Sequence, residues 1–199
     1  MPGPSDRSLR FEMGQDSSGL FALLFQYGVL VRCRTGITVE ELLISHFGIA
    51  REYLEKRLST VFLDGAPVDD IGSAVIASGM TLALSSSMPG LAGATLRRKG
   101  ILASMRRSIT YHSENEQGDP GHDGYITIKL FNVLAGEMGP VLMKHGISIE
   151  ALKLAEYIRL SPHKAALVSV ISKDTAKDPE GFIQMLGRYG SRKVEIITA

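Results

Sequence analysis

Hydrophobic positions recur along the first half of the chain at spacings typical of strands and helices. Two short apolar runs, Leu20–Phe25 and Val29–Arg34, predict a β-hairpin closed through Gly28. Thr38 precedes a run with helical spacing and Glu41 follows it three positions later, a pattern typical of a capping box at the start of a helix. The opening segment therefore predicts two strands followed by a helix.

Short strands follow in the sequence. A helical stretch over 49–58 leads to Val61-Phe62-Leu63, and Asp64-Gly65 directly after it is a hairpin turn signal. Met80–Leu84 follows Ser78-Gly79 and predicts another strand, and Tyr125–Phe131 predicts a strand beyond a polar stretch.

The last third alternates between helical and strand patterns. Val133–His145 and Ser148–Arg159 have helical spacing, the second with Ser148 as a candidate N-cap. Ala165–Ile171 is a nearly uninterrupted apolar run, which is typical of a buried strand. Asp178 before Pro179 fits the start of a helix, and Val194–Thr198 predicts a closing strand.

This order of elements predicts an α+β fold built from two modules. Residues 1–18, rich in Pro, Gly and Ser, predict a flexible arm. Residues 19–90 predict the first domain and residues 91–199 a layered α/β domain, joined through a glycine-rich segment. A strand over 101–111 is expected to couple the two sheets.

Composition and charge narrow the function classes. The chain has 199 residues with 22 Lys and Arg against 21 Asp and Glu, so no global field favours nucleic acid or membrane. The single cysteine, Cys33, excludes an intramolecular disulfide and a cysteine-rich zinc site, and its two flanking arginines leave open a reactive or a packed thiol.

The apolar stretch Leu20–Val31 is shorter than the ~20 residues of a membrane helix. A cytoplasmic protein is expected.

A basic block follows a glycine-rich segment. Glycine N–H groups can cradle an anion while arginines contact it in bidentate fashion, which predicts an anion site at Gly90, Gly93, Arg97, Arg98, Arg106 and Arg107. The alternative is a solvated strand edge whose basic residues prevent edge-to-edge pairing. The glycines lack the spacing of a nucleotide-binding P-loop.

An acidic loop over 112–124 is the candidate centre of a metal-dependent enzyme. It holds His112, Glu114, Glu116, Asp119, His122 and Asp123. Imidazole and carboxylate groups ligate divalent cations, but the spacing matches no calcium loop, so the sequence favours a solvated loop without a metal and the metal-dependent enzyme is the alternative. Because the sequence has no nucleophile elbow or evident acid–base pair, it favours a non-enzymatic accessory protein without cofactors.

The first half resembles a ubiquitin-like β-grasp domain of the sulfur-carrier proteins. The resemblance rests on the predicted hairpin, on Gly36–Leu43 at the helix start, on Phe62–Val68 at the second turn and on Ser78–Leu82. Sulfur carriers end in a free Gly-Gly, whereas here the chain continues from Pro89–Gly93 to Ala199. The resemblance therefore implies a protein-binding surface without carrier chemistry.

A second resemblance leads to a different function class. Gly48–Arg51, Glu55–Arg57 and the Asp64-Gly65 turn are similar to the small RNA-binding module of ribosomal protein S4 and pseudouridine synthases. Residues 1–95 carry seven basic and ten acidic side chains, so this segment disfavours nucleic acid. The expected partner is a protein or an anionic small molecule, and a mean hydropathy of +0.09 permits a homo-oligomer.

Overall fold

A computed structural model describes residues 9–13, 20–87, 121–172 and 178–198, together with Leu96. Within these residues the chain has a mixed α+β fold with eight strands and seven helices. The strands are β1 (Leu9–Met13), β2 (Val29–Arg34), β3 (Thr60–Leu63), β4 (Ala66–Pro67), β5 (Thr81–Ser85), β6 (Asp123–Phe131), β7 (Ile147–Glu150) and β8 (Lys193–Thr198). The helices are α1 (Leu24–Tyr27), α2 (Val39–Glu41), α3 (Arg51–Arg57), α4 (Val133–Lys144), α5 (Ala151–Leu160), α6 (Lys164–Ser172) and α7 (Pro179–Tyr189), and α2 continues into a π-helical turn over Leu42–His46.

The described strands form one mixed sheet in the order β1-β8-β7-β2-β6-β5-β3-β4. Two neighbouring pairs are parallel, β1 with β8 and β5 with β6, and the others are antiparallel. Strands β2 and β6 lie side by side near the middle of this order. The sheet is therefore continuous between strands from the predicted segments 19–90 and 91–199.

One face of the sheet packs against the helices. Val31 on β2 pairs with Ile126 on β6, and both are fully buried. They share one hydrophobic cluster with Phe25 of α1 and Leu142 of α4. Because side chains alternate along a strand, the residues between them, such as Tyr125, point to the opposite face, where Tyr125 is 42% exposed.

Three local signals in the sequence are confirmed. Thr38 caps α2 with its side chain, while the Glu41 carboxylate accepts a hydrogen bond from the Thr38 N–H at 2.8 Å. Asp64 and Gly65 both have positive φ at the turn between β3 and β4. Asp178 accepts a hydrogen bond from the Gly181 N–H at 2.8 Å at the start of α7.

The predicted first strand of the hairpin is wrong. Within Leu20–Phe25, the last two residues begin α1, and β2 pairs with β6 and β7 instead of with this segment. The buried side chains in the run are Phe21, Leu24 and Phe25, at the i, i+3, i+4 spacing of a helical face. The helical period was present in the sequence but was masked by the surrounding apolar residues.

The buried strand predicted at Ala165–Ile171 is also wrong, because these residues belong to α6. Leu167, Val168 and Ile171 are buried while Ala165 is exposed, so the helix buries one face of an apolar run. An uninterrupted apolar run carries no period that distinguishes a strand from a buried helix.

Two boundaries also differ from the sequence prediction. Ser148 lies in β7, so it is no N-cap, and α5 begins at Ala151. Leu9–Met13, inside the predicted arm, forms β1 and pairs with β8. The coupling strand predicted over 101–111 lies outside the described residues.

Across the described ranges, every helix falls short of the length and apolar character that a membrane crossing requires.

Two glycines of α4 give a matched test of the packing between α1 and α4. A Cβ at Gly139 would lie 2.7 Å from Cε2 of the buried Phe25, whereas a Cβ at Gly136 would meet no atom within 4 Å. We expect Gly139→Ala to lower the free energy of unfolding by about 1–2 kcal/mol, since overpacking outweighs helix propensity. Gly136→Ala is expected to raise it by about 0.5–1 kcal/mol. Urea unfolding of both variants measures the difference, and equal effects would contradict this packing.

Candidate functional site

The predicted anion site lies outside the described residues, as do all six of its members: Gly90, Gly93, Arg97, Arg98, Arg106 and Arg107. Most of the acidic loop does too. At its end, Asp123 forms an ion pair with Arg32 at 2.6 Å, and the His122 carbonyl accepts a hydrogen bond from the Thr35 hydroxyl at 3.0 Å. Among the residues that the structure describes, no group of three or more His, Cys, Asp or Glu side chains could hold a metal ion.

Cys33 is a buried residue of strand β2. Its side chain lies on the helix-covered face of β2 and is 2% exposed. Burial, with a smaller contribution from the Asp123 carboxylate, raises the pKa of the Cys33 thiol to about 11. The thiol is therefore neutral at physiological pH, which supports the packed alternative over the reactive one.

Described residues of α1, α5 and β6 form a groove of about 400 Å³, which we call the α1–α5 groove. Its walls are α1, the end of β6, the end of α5 and the turn that follows α5. The lining residues are Leu23, Gln26, Tyr27, Phe131, Tyr157, Leu160, Ser161 and Pro162. All eight side chains are uncharged at neutral pH, and most of them are apolar or aromatic.

Several large hydrophobic side chains at the rim of this groove are exposed to solvent. Leu23 is 57% exposed, Tyr27 49% and Leu160 66%. Leu23 and Tyr27 are four residues apart and therefore lie on the same side of α1, whereas Leu24 and Phe25 are buried in the core. The segment around α1 thus presents one apolar face to the core and another to the groove.

Tyr157 joins the two helical walls of the groove. Its hydroxyl donates a hydrogen bond to the Leu20 carbonyl, which attaches the segment before α1 to α5. Its ring meets the Tyr27 ring edge to face, with centroids 6.3 Å apart and planes at 73°. Burial, together with Tyr27, raises the pKa of Tyr157 to about 12. The hydrogen bond and the ring contact together hold the two helical walls of the groove against each other.

Two titratable clusters lie outside the groove and join elements of the fold. The rings of His46 and Phe47, at the end of the π-helical turn, lie close to the ring of His145, which follows α4. The His46 and His145 ring centroids are 5.5 Å apart, and those of Phe47 and His145 are 5.3 Å apart. Burial, and then the nearby His46, lower the pKa of His145, while a hydrogen bond with the Phe47 backbone opposes the shift.

The second cluster links α3 to α4. The Tyr53 hydroxyl donates to Glu137 Oε2 at 2.6 Å, and Arg57 pairs with Glu137 Oε1 at 2.7 Å. Both carboxylate oxygens are therefore engaged. Burial and the hydrogen bond to Glu137 raise the pKa of Tyr53. We assign this cluster to packing between the two helices.

None of the groove residues was singled out as functional from the sequence. The sequence did contain one signal for the groove. Leu23 and Tyr27 are four residues apart, as on one side of a helix, and they alternate with the apolar residues Phe21, Leu24 and Phe25 that the structure buries. Leu160 and Pro162 close the site from a distant part of the chain, and no local pattern links them to α1.

Comparison with protein-family models, with curated proteins and with solved structures yields no significant match to this chain. The functional assignment therefore rests on the geometry of the described residues.

The histidine cluster predicts a pH dependence of stability. Because the pKa of His145 is lowered from 6.5 in the folded state, the unfolded state binds a proton more readily. This contribution to the free energy of unfolding is complete above pH 6.5 and decreases as the pH falls through that value toward the folded pKa. Urea unfolding at about pH 8 and about pH 5.5 should show a smaller loss for His145→Gln than for the wild type. The exposed His163→Gln is the control, and an unchanged pH dependence in His145→Gln would contradict the assignment.

Proposed function

We propose that this protein is a cytoplasmic, non-enzymatic accessory module that binds a protein partner through the α1–α5 groove. The observation that carries this proposal is a set of exposed hydrophobic residues, Leu23, Tyr27 and Leu160, around a groove whose described lining residues include no charged side chain. Contiguous exposed apolar surface in a folded protein marks sites of interaction with proteins or other ligands. A few side chains, with tyrosine prominent among them, contribute most of the binding energy at protein interfaces.

The chemistry of the groove supports binding over acid–base catalysis. Among the described lining residues, the polar side-chain groups are one amide, one serine hydroxyl and two phenols. The Tyr157 hydroxyl is committed to the Leu20 carbonyl, and its raised pKa makes it a poor proton donor at neutral pH. The Ser161 hydroxyl accepts a hydrogen bond from the His163 N–H at 3.1 Å. These groups are suited to orienting a bound side chain.

We further propose that part of the sheet is a ubiquitin-like β-grasp unit. The strands would be β2, β6, β5, β3 and β4, which are consecutive in the sheet, with α2 and its π-helical continuation on one face. In this proposal Asp123–Phe131 supplies the strand that pairs with β2, in place of the Leu20–Phe25 segment expected from the sequence. The groove then lies where the end of this late strand meets α1 and α5.

A pair of leucines on α5 tests the proposed binding surface. Leu160 lines the groove, whereas Leu152 is 47% exposed on the same helix and does not line it. Three proteins are immobilised: the wild type, Leu160→Ser and Leu152→Ser. Each is exposed to a lysate of the native cell, and the retained proteins are quantified by mass spectrometry. A partner identified in this way is then purified and its affinity is measured.

We expect Leu160→Ser to weaken binding of the purified partner by about tenfold, because the partner loses an apolar contact at the groove. Leu152→Ser should bind like the wild type. Equal affinity of all three proteins, or a partner that is retained only as a second copy of this chain, would reject a separate protein partner at the groove.

A further inference from the structure

A lysine lies beside the α1–α5 groove. Lys129 and Phe131 are two positions apart on β6, so their side chains point to the same face of the sheet. Phe131 lines the groove. A Cβ at Gly28 would lie 3.2 Å from Cε of Lys129, which places the Lys129 side chain against the residue that directly follows Tyr27. Lys129 therefore borders the groove at the side formed by Phe131 and Tyr27.

The Lys129 ammonium group is available to a ligand. Within the described part of the chain it makes no ion pair or hydrogen bond. Its neighbour on β5 is Ala83, and the backbone on the β2 side is that of Gly28, so neither side offers a carboxylate. A cation with small, uncharged neighbours can pair with an incoming anion without breaking an existing interaction.

The charged residues that are adjacent in the chain to the groove lining do not neutralise the positive charge of Lys129. Arg159 is exposed directly before Leu160. Lys164, after the turn, already pairs with Glu180 at 2.6 Å. The acidic residue adjacent to the lining is Glu156, exposed on α5 one position before Tyr157. The surroundings of the uncharged groove are therefore balanced or basic, which favours an anionic group beside an apolar one.

We propose that the groove accepts a large apolar side chain of a partner protein and that Lys129 pairs with a carboxylate next to that side chain. This inference rests on the proposed function and names the chemistry of the partner segment. Burial of the apolar side chain between Tyr27, Tyr157 and Leu160 supplies affinity, while the ion pair selects segments in which an acidic group adjoins it.

Two small probes separate the contribution of the carboxylate charge from that of the aromatic side chain. N-acetyl-phenylalanine carries a carboxylate next to an aromatic side chain, and N-acetyl-phenylalanine amide is its neutral match. Each is titrated into the full-length protein, and Kd is obtained from NMR shift changes at Leu23, Tyr27 and Leu160. We expect the carboxylate to bind about two- to fivefold more tightly than the amide, as for a solvent-accessible ion pair. The preference should decrease at high salt.

Three variants complete the experiment. Lys129→Gln should bind both probes equally, and Lys129→Arg should retain the preference for the carboxylate. Lys56→Gln, on α3 and away from the groove lining, should behave like the wild type. Equal binding of the two probes by the wild type would overturn the role of Lys129 while leaving the apolar groove intact. Absence of shift changes at the groove with either probe would overturn the proposed binding surface itself.

Discussion

The pairing of β2 with β6 is the interaction on which the rest of the structure depends. Six residue pairs, from Val29 with Ile128 to Arg34 with Asp123, join segments that are far apart in the chain. The entropy of closing a long loop grows only with the logarithm of its length, so burial of fully enclosed side chains such as Val31 and Ile126 can compensate for it. β7 and β5 then add to the outer sides of this central pair.

The α1–α5 groove is a consequence of where β6 ends. Asn132 follows Phe131 with a φ of 57°, and its amide donates to the Ser85 hydroxyl at 3.0 Å and to the Ser87 carbonyl. These contacts attach the turn between β6 and α4 to the end of β5. Two strands and a hydrogen-bonded turn thus position Phe131 in the groove lining, so this part of the groove is built on ordered elements.

Sequence reasoning succeeded where the determining contacts are local. The capping box at Thr38, the turn at Asp64 and the N-cap at Asp178 each involve neighbours within a few residues, and the chemistry of those residues specifies the geometry. It failed at Leu20–Phe25 and Ala165–Ile171, because apolar side chains outside the buried face hid the helical period. The pairing of β2 with β6 could not be derived, since many apolar strands satisfy the same alternation.

The apolar run that obscured α1 is also what builds the groove. A helix that served only the core would need one apolar face, supplied here by Phe21, Leu24 and Phe25. Leu23 and Tyr27 add a second apolar face that remains largely in water and so gains little of the free energy of burial when the chain folds. That free energy is gained only when another surface covers the groove. In the proposed function these exposed positions serve association, and the hydrogen bond of Tyr157 to the Leu20 carbonyl holds them in place before a partner binds.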